Sequence, residues 1–205
     1  MNHLKTMGLF GVVAIAVGMV GIGGVNASTF GLADTPKTDS AEKTSMLGHI
    51  IVTVRDPSGH IKEYRQTDNV VTATGHNCAA NLLFGTGFAN CTSPAVAKYI
   101  ALSSSTTSAQ YNASATALTG ELASNGLQRV AGTVTANTVA VGGGSAVAQV
   151  ANTFTYSGVS AQVVGGAGLL DAPSTGNLFA DKQFGSSVTL NQNDQLTVQW
   201  QVTLS

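Results

Sequence analysis

The sequence predicts an all-β domain: an antiparallel β-sandwich, jelly-roll-like, with one short helix near residues 76–85. Three observations lead there. The chain closes on a strictly alternating run in which Leu196, Val198, Trp200, Val202 and Leu204 interleave with Thr197, Gln199, Gln201 and Thr203. That is the pattern of a strand with one buried and one wet face. Short runs rich in β-branched residues recur along the chain, separated by Gly/Ser/Asn/Asp turns. A single segment, Asn77-Cys78-Ala79-Ala80-Asn81-Leu82-Leu83-Phe84, reads as helix, and Gly75 and Gly85 bound it. The crossover helices that a parallel sheet needs are therefore missing.

Taken in order, the chain opens with an address. Met1 to Thr6 carries one basic residue, the apolar run Leu9 to Val25 follows, and Val25-Asn26-Ala27 precedes Ser28. A short basic region, an apolar core and a small-x-Ala end describe a secretory signal peptide over residues 1–27. The run is also at the lower length limit for a membrane span, so an uncleaved anchor is the alternative. Both place the rest of the chain outside the cytoplasm, extracellular or at a cell surface, with the membrane touched only through this segment. Residues 28–47 are polar, mixed in charge and aperiodic, and read as an N-terminal arm. The β-sandwich is expected over residues 48–205.

Within that domain, Ile50, Val52 and Val54 alternate with polar neighbours up to the turn Asp56-Pro57-Ser58-Gly59, and Ile61 to Gln66 returns as the second arm of a hairpin. Asn69 to Thr72 is a short strand before the helix. Strands are expected at Val96 to Ser103, Gly126 to Thr135, Val147 to Tyr156 and Val159 to Val164. The run Gly165-Gly166-Ala167-Gly168 is expected to break the last of these. Asn177 to Ala180 and Ser186 to Leu190 read as two further short strands. Trp200, the single tryptophan, is expected in the core.

Charge narrows the function classes. Only 9% of residues are charged and the net charge is −1, against about 25% charged in ordinary soluble domains. Beyond Asp68 the charged residues are Lys98, Arg129, Lys182, Glu121, Asp171, Asp181 and Asp194 alone. Such a surface has no electrostatic footprint for nucleic acid. It offers little repulsion between copies, so the expected partner is the chain itself, with surface glycans second.

Cys78 and Cys91 are the only cysteines, and an even count in an exported chain favours a disulfide. Closing that loop contributes roughly 3 kcal/mol on the chain-entropy estimate. Asn90-Cys91-Thr92 and Asn112-Ala113-Ser114 match the N-glycosylation pattern and fall in expected loops. His49, His60 and His76 lack metal-ligand spacing, and no cofactor is implied. There is no Gly-x-Ser-x-Gly elbow, no His-Glu-x-x-His helix and no P-loop. Asp171 and Asp181 are the best carboxylates for a glycosidase-type pair, but both lie in turn-like contexts. An enzyme is not expected.

Tyr99-Ile100-Ala101-Leu102, a Ser/Thr-rich loop, Thr116-Ala117-Leu118-Thr119-Gly120-Glu121 and Gly126-Leu127-Gln128-Arg129 resemble a module of tail-fibre-like and other virion structural proteins. Gly75 to Gly85, Gly168 to Asp171, Asn177 to Ala180 and the closing strand from Asp194 fit the same module. The resemblance covers residues 48–205 and extends to β-sandwich subunits of archaeal and bacterial surface filaments. It implies a structural ion pair between Glu121 and Arg129.

The signal segment departs from a virion origin, because tail proteins assemble in the cytoplasm. The leading expectation is therefore an exported structural protein of the cell surface. It would be a self-assembling subunit of a filament or coat, with the arm or the strand after it added to a neighbour's sheet. The first alternative is a secreted carbohydrate-binding or adhesin module, which Tyr64, Tyr111 and Tyr156 grouped on one surface would favour. The second is a virion structural, tail-fibre-like protein.

Overall fold

Nine strands and one α-helix build the described part of the domain, and a single sheet order relates the strands. The computed structural model describes residues 45–85, 87–138 and 145–205. The expected signal segment, residues 1–27, and nearly all of the expected arm, residues 28–47, lie outside the described residues. Every described element belongs to the unit Glu42–Ser205. The elements are β1 (Met46–Arg55), β2 (Ile61–Val71), α1 (Ala73–Phe84), β3 (Tyr99–Ser103), β4 (Val130–Ala131), β5 (Thr133–Thr138), β6 (Ala146–Thr155), β7 (Gln162–Leu170), β8 (Leu178–Leu190) and β9 (Gln195–Leu204).

All pairings are antiparallel, in the order β4-β3-β7-β8-β2-β1-β9-β6-β5. The sheet folds over into two layers joined where the end of β2 passes to β8, Val70 opposite Asp181 and Val71 opposite Ala180. Its two ends nearly meet. β4 and β5 are separated by Gly132 alone, whose N–H donates to the Lys98 carbonyl at 2.7 Å. Between the layers lies one core. Ile50, Val52, Val54, Val150, Phe154, Leu196, Val198 and Trp200 from one side meet Ile100, Leu102, Val164, Leu169, Ala180, Val188 and Leu190 from the other. Trp200 is fully buried at its centre.

Five expectations about elements are corrected. β7 runs through Gly166 and Gly168 instead of stopping at them, and β8 is one strand of 13 residues where two were expected. The expected strand at Gly126 to Thr135 divides at Gly132, and its first part is a turn at Asn125 and Gly126, both at positive φ. The helix starts at Ala73, not Asn77, because Thr72 caps it by accepting the Gly75 N–H at 2.9 Å. β1 begins at Met46 and is paired on both sides within its own subunit, by β2 and β9. The strand after the arm is thus unavailable to a neighbour.

The glycines of β7 have a physical role that a turn signal does not convey. The loop 104–120, with a single 3-10 turn at Ser108–Gln110, lies flat on the outer face of β7 and β8. A Cβ on Gly165 would sit 1.9 Å from the Ser105 carbonyl oxygen, and one on Gly166 would sit 2.6 Å from the Tyr111 ring. Only glycine lets the loop approach this closely. Under it lies a second apolar cluster of Ala101, Leu118, Leu170 and Leu178, with Tyr99, Tyr111 and Ala115 packed against it.

Candidate functional site

The two ends of the sheet are finished differently, and the difference defines the site. On the β3–β4 side, the Ser103 to Leu122 region covers its own edge. Leu122 N–H donates to Leu102, Ser104 N–H donates to Gly120, and Ser103 bridges Glu121. On the other side, β5 pairs with β6 and with no other strand among the described residues. Thr133, Val134, Thr135 and Ala136 are exposed. This strand carries no charge and no proline, so the usual blocks to edge pairing are absent from it.

Where β5 parts from residues 95–97, the sheet leaves an apolar groove of about 240 Å³. Its walls include Ala79 and Leu82 of α1, Val96, Val134, Ala148 and Val202. The α1 wall is held firmly. Gly75 packs on β8, where a Cβ would lie 2.1 Å from the Phe179 carbonyl oxygen, and Gly85 ends the helix at φ 97. Cys78 and Cys91 are joined at an S–S distance of 2.00 Å. Asn77 donates to the Ala89 carbonyl at 2.6 Å, and Asn81 both donates to the Phe88 carbonyl and accepts the Phe88 N–H. The braced helix end presents Leu83 and Phe84 at 73% and 80% exposure, with Leu82 and Phe88 beside them. An apolar group held so far into solvent by covalent and hydrogen-bonded bracing is characteristic of a contact surface.

The residues singled out from sequence fall as follows. Arg129 donates from Nε to Glu121 Oε1 at 2.8 Å and from Nη2 to Oε2 at 2.6 Å, a two-point pair. Its Nη1 donates to the Ala172 and Thr175 carbonyls, so this side chain fastens the 121–129 segment to the turn after β7. Asn90 is exposed in the loop before Cys91, at φ 60. Asn112 has its Oδ1 occupied by the Ser114 N–H and hydroxyl, and its Nδ2 donates to Ala109.

The three tyrosines do not share an exposed surface. Tyr64 is exposed, Tyr156 is buried and donates to the Ser160 carbonyl, and Tyr111 packs on Gly166 and donates to Ser105. Asp171 accepts from the Asn177 main-chain N–H and side-chain amide at 2.7 and 2.6 Å, which makes it the keystone of a turn. Asp181 is fully buried on β8. His49 faces Asp68, and His60 faces Asp56. Hydrogen bonds from Ser58 lower the Asp56 carboxyl from its ordinary value. Among the described residues no cluster of His, Cys, Asp and Glu could hold a metal ion, and no helix is long and apolar enough to cross a membrane.

Sequence reading passed over the free edge of β5, the exposed end of α1 and the enclosure of Asp181. Leu82-Leu83-Phe84 directly before Gly85 was a visible signal, since a helix end normally turns polar residues to solvent. The other two depend on strand order and loop placement, which no local pattern encodes.

No curated protein matches the chain. The family described as podophage GP4 fiber I protein gp80 matches residues 71–203, from the last residue of β2 almost to the end of β9. The match takes in α1, the disulfide, the edge strand and the groove between them, and the chain belongs to this family of phage fibre proteins.

Proposed function

We propose that the chain is a structural subunit of a virion fibre, without enzymatic activity, and that subunits join by strand addition at β5. The family match supports the virion alternative over the cell-surface filament. The export reading rests on residues 1–27 alone, which lie outside the described structure.

The observation that carries the joining mechanism is the uncharged edge of β5, unpaired among the described residues, beside an apolar groove. An added strand would gain main-chain hydrogen bonds from the edge and place alternate side chains over the groove. The arm of a neighbouring subunit is the fitting donor. Ser45 exchanges main-chain hydrogen bonds with Ser205. Met46 lies opposite Leu204, Leu204 opposite Ala146, and Val147 opposite Thr138. The arm therefore leaves from the end of the sheet where β5 finishes, about 14 Å away at three strand spacings. It holds Phe30 and Leu32, two residues apart, a spacing that puts both on one side of an extended strand.

Sedimentation velocity of the full chain tests this. The native protein is expected to self-associate, and Val134→Lys, a change at an exposed position, is expected to weaken association at least tenfold. Association untouched by Val134→Lys, or a protein monomeric throughout, would overturn it.

A further inference from the structure

Asp181 is an exception to the way charge is handled elsewhere in the domain. Asp171 and Asp194 are also buried, but each accepts main-chain N–H bonds, and Asp194 in addition pairs with Lys62. Asp181 is fully enclosed and has no ion pair, and although the Asn112 main-chain amide lies near it, neither of its carboxyl oxygens reaches a hydrogen bond of normal geometry. A buried carboxylate without partners is costly, and such a group relieves the cost by taking up a proton.

On β8 the neighbour is Lys182. From β7 and β2 the opposite residues are Gly168 and Val70, neither of them titratable. From the loop 104–120 come Tyr111 and the main-chain amide of Asn112. Burial pushes the Asp181 carboxyl up to about 6, while the Asn112 amide and the Lys182 charge act in the opposite direction. Burial, together with the Asp181 charge, raises the Tyr111 phenol in turn, against the pull of Ser103 and Ser105.

The loop that covers this carboxyl is tied down at separated points. Ser103 Oγ and Ser104 N–H donate to Thr119 and Gly120, the Gln183 side chain donates to Thr106, and Ala73 N–H donates to Ala113. Between those ties it closes over Asp181 and the cluster of Leu118, Leu170 and Leu178.

We propose that Asp181 is a proton-controlled latch beneath the loop 104–120: protonated it leaves the loop closed, and ionised it drives the loop to open over the second apolar cluster. The sign follows from linkage. The closed form holds its proton more tightly than an opened, solvated carboxyl does, so closure is fully favoured below the ordinary value near 3.8. That advantage is lost as pH rises through about 6. Neutral solution loosens the loop, and mild acid tightens it.

Hydrogen exchange on the full chain, corrected for the intrinsic pH dependence of exchange, tests the latch. Opening of the loop amides is expected to rise about tenfold between pH 5 and pH 7, with β1 and β9 amides unchanged. Asp181→Asn is expected to remove the pH dependence and to hold the loop at least as protected as the native chain at pH 5, and Tyr111→Phe to keep the pH dependence. Loop protection indifferent to pH in the native chain, or a dependence that survives Asp181→Asn, would overturn the proposal. If Asp181→Asn does not fold, carboxyl carbon shifts of the native chain decide: a midpoint near 6 supports the latch, and one near 4 rejects it.

Discussion

The β1–β9 pair and the β7–β8 pair sit on opposite sides of the same core, yet they obey different rules. In β9 burial alternates from Leu196 to Trp200: Leu196, Val198 and Trp200 are buried, while Thr197 and Gln199 stand on the wet face, and the alternation fades beyond them, with Leu204 exposed. In β7 every residue from Val164 to Leu170 is buried, and the sequence there is a glycine run. The inner side of β7 faces the shared core, and the outer side is covered by the loop 104–120. A strand alternates only when one of its faces meets water. Once a loop lies on the second face, the demand there is for closeness, and glycine meets it.

Three substitutions would break or sharpen this contrast. The largest effect is expected from Trp200→Ala on the inner face of β9, about 4 kcal/mol lost in chemical denaturation, since a large fully buried side chain leaves a cavity the sheets cannot close. Next is Gly165→Ala on the outer face of β7. Its Cβ would meet the Ser105 carbonyl, and the loss expected from such overpacking is about 2–3 kcal/mol, with loop amides exchanging faster. A neutral result there would mean that the loop does not bear on the glycines. The smallest is Thr197→Ala on the wet face of β9, which removes a 2.8 Å hydroxyl contact with Thr153. It should shift the denaturation midpoint by an amount equivalent to about 0.5 kcal/mol. If Thr197→Ala proved as damaging as Gly165→Ala, the contrast between a wet and a covered face would fail.

The same contrast explains what could be read in advance. The antiparallel, all-β class followed from β9 and from the β1–β2 hairpin, where the period-2 pattern and the Asp56-Pro57-Ser58-Gly59 turn act over a few residues. The short helix was legible too, though its start was not. Gly75 looked like a boundary and is in fact a contact with β8, an element about 100 residues away in sequence. β8 spans both of the short strands expected at Asn177 to Ala180 and Ser186 to Leu190. Gly185 does take φ 82, but the strand continues through it.

The candidate site was less legible than the fold. Val134 belongs to an ordinary Thr/Val run, and only the strand order shows that its outer edge is unpaired among the described residues. Ala79, Val96 and Val202 are unremarkable apart, and they form a groove because the ends of a nearly closed sheet fail to meet there. Asp181 was noted as a sparse carboxylate. Its isolation depends on where a loop of the same chain comes to rest.

By itself, the amino-acid order determined everything whose physics acts over a few residues: the alternation of β9, the first hairpin, a single helix and a surface nearly free of charge. The tertiary structure decided which strand would be left at the edge, which glycines would serve as floor instead of break, and which carboxyl would be buried without a partner. Those outcomes depend on how distant segments close over one another, and local propensity carries no term for that distance.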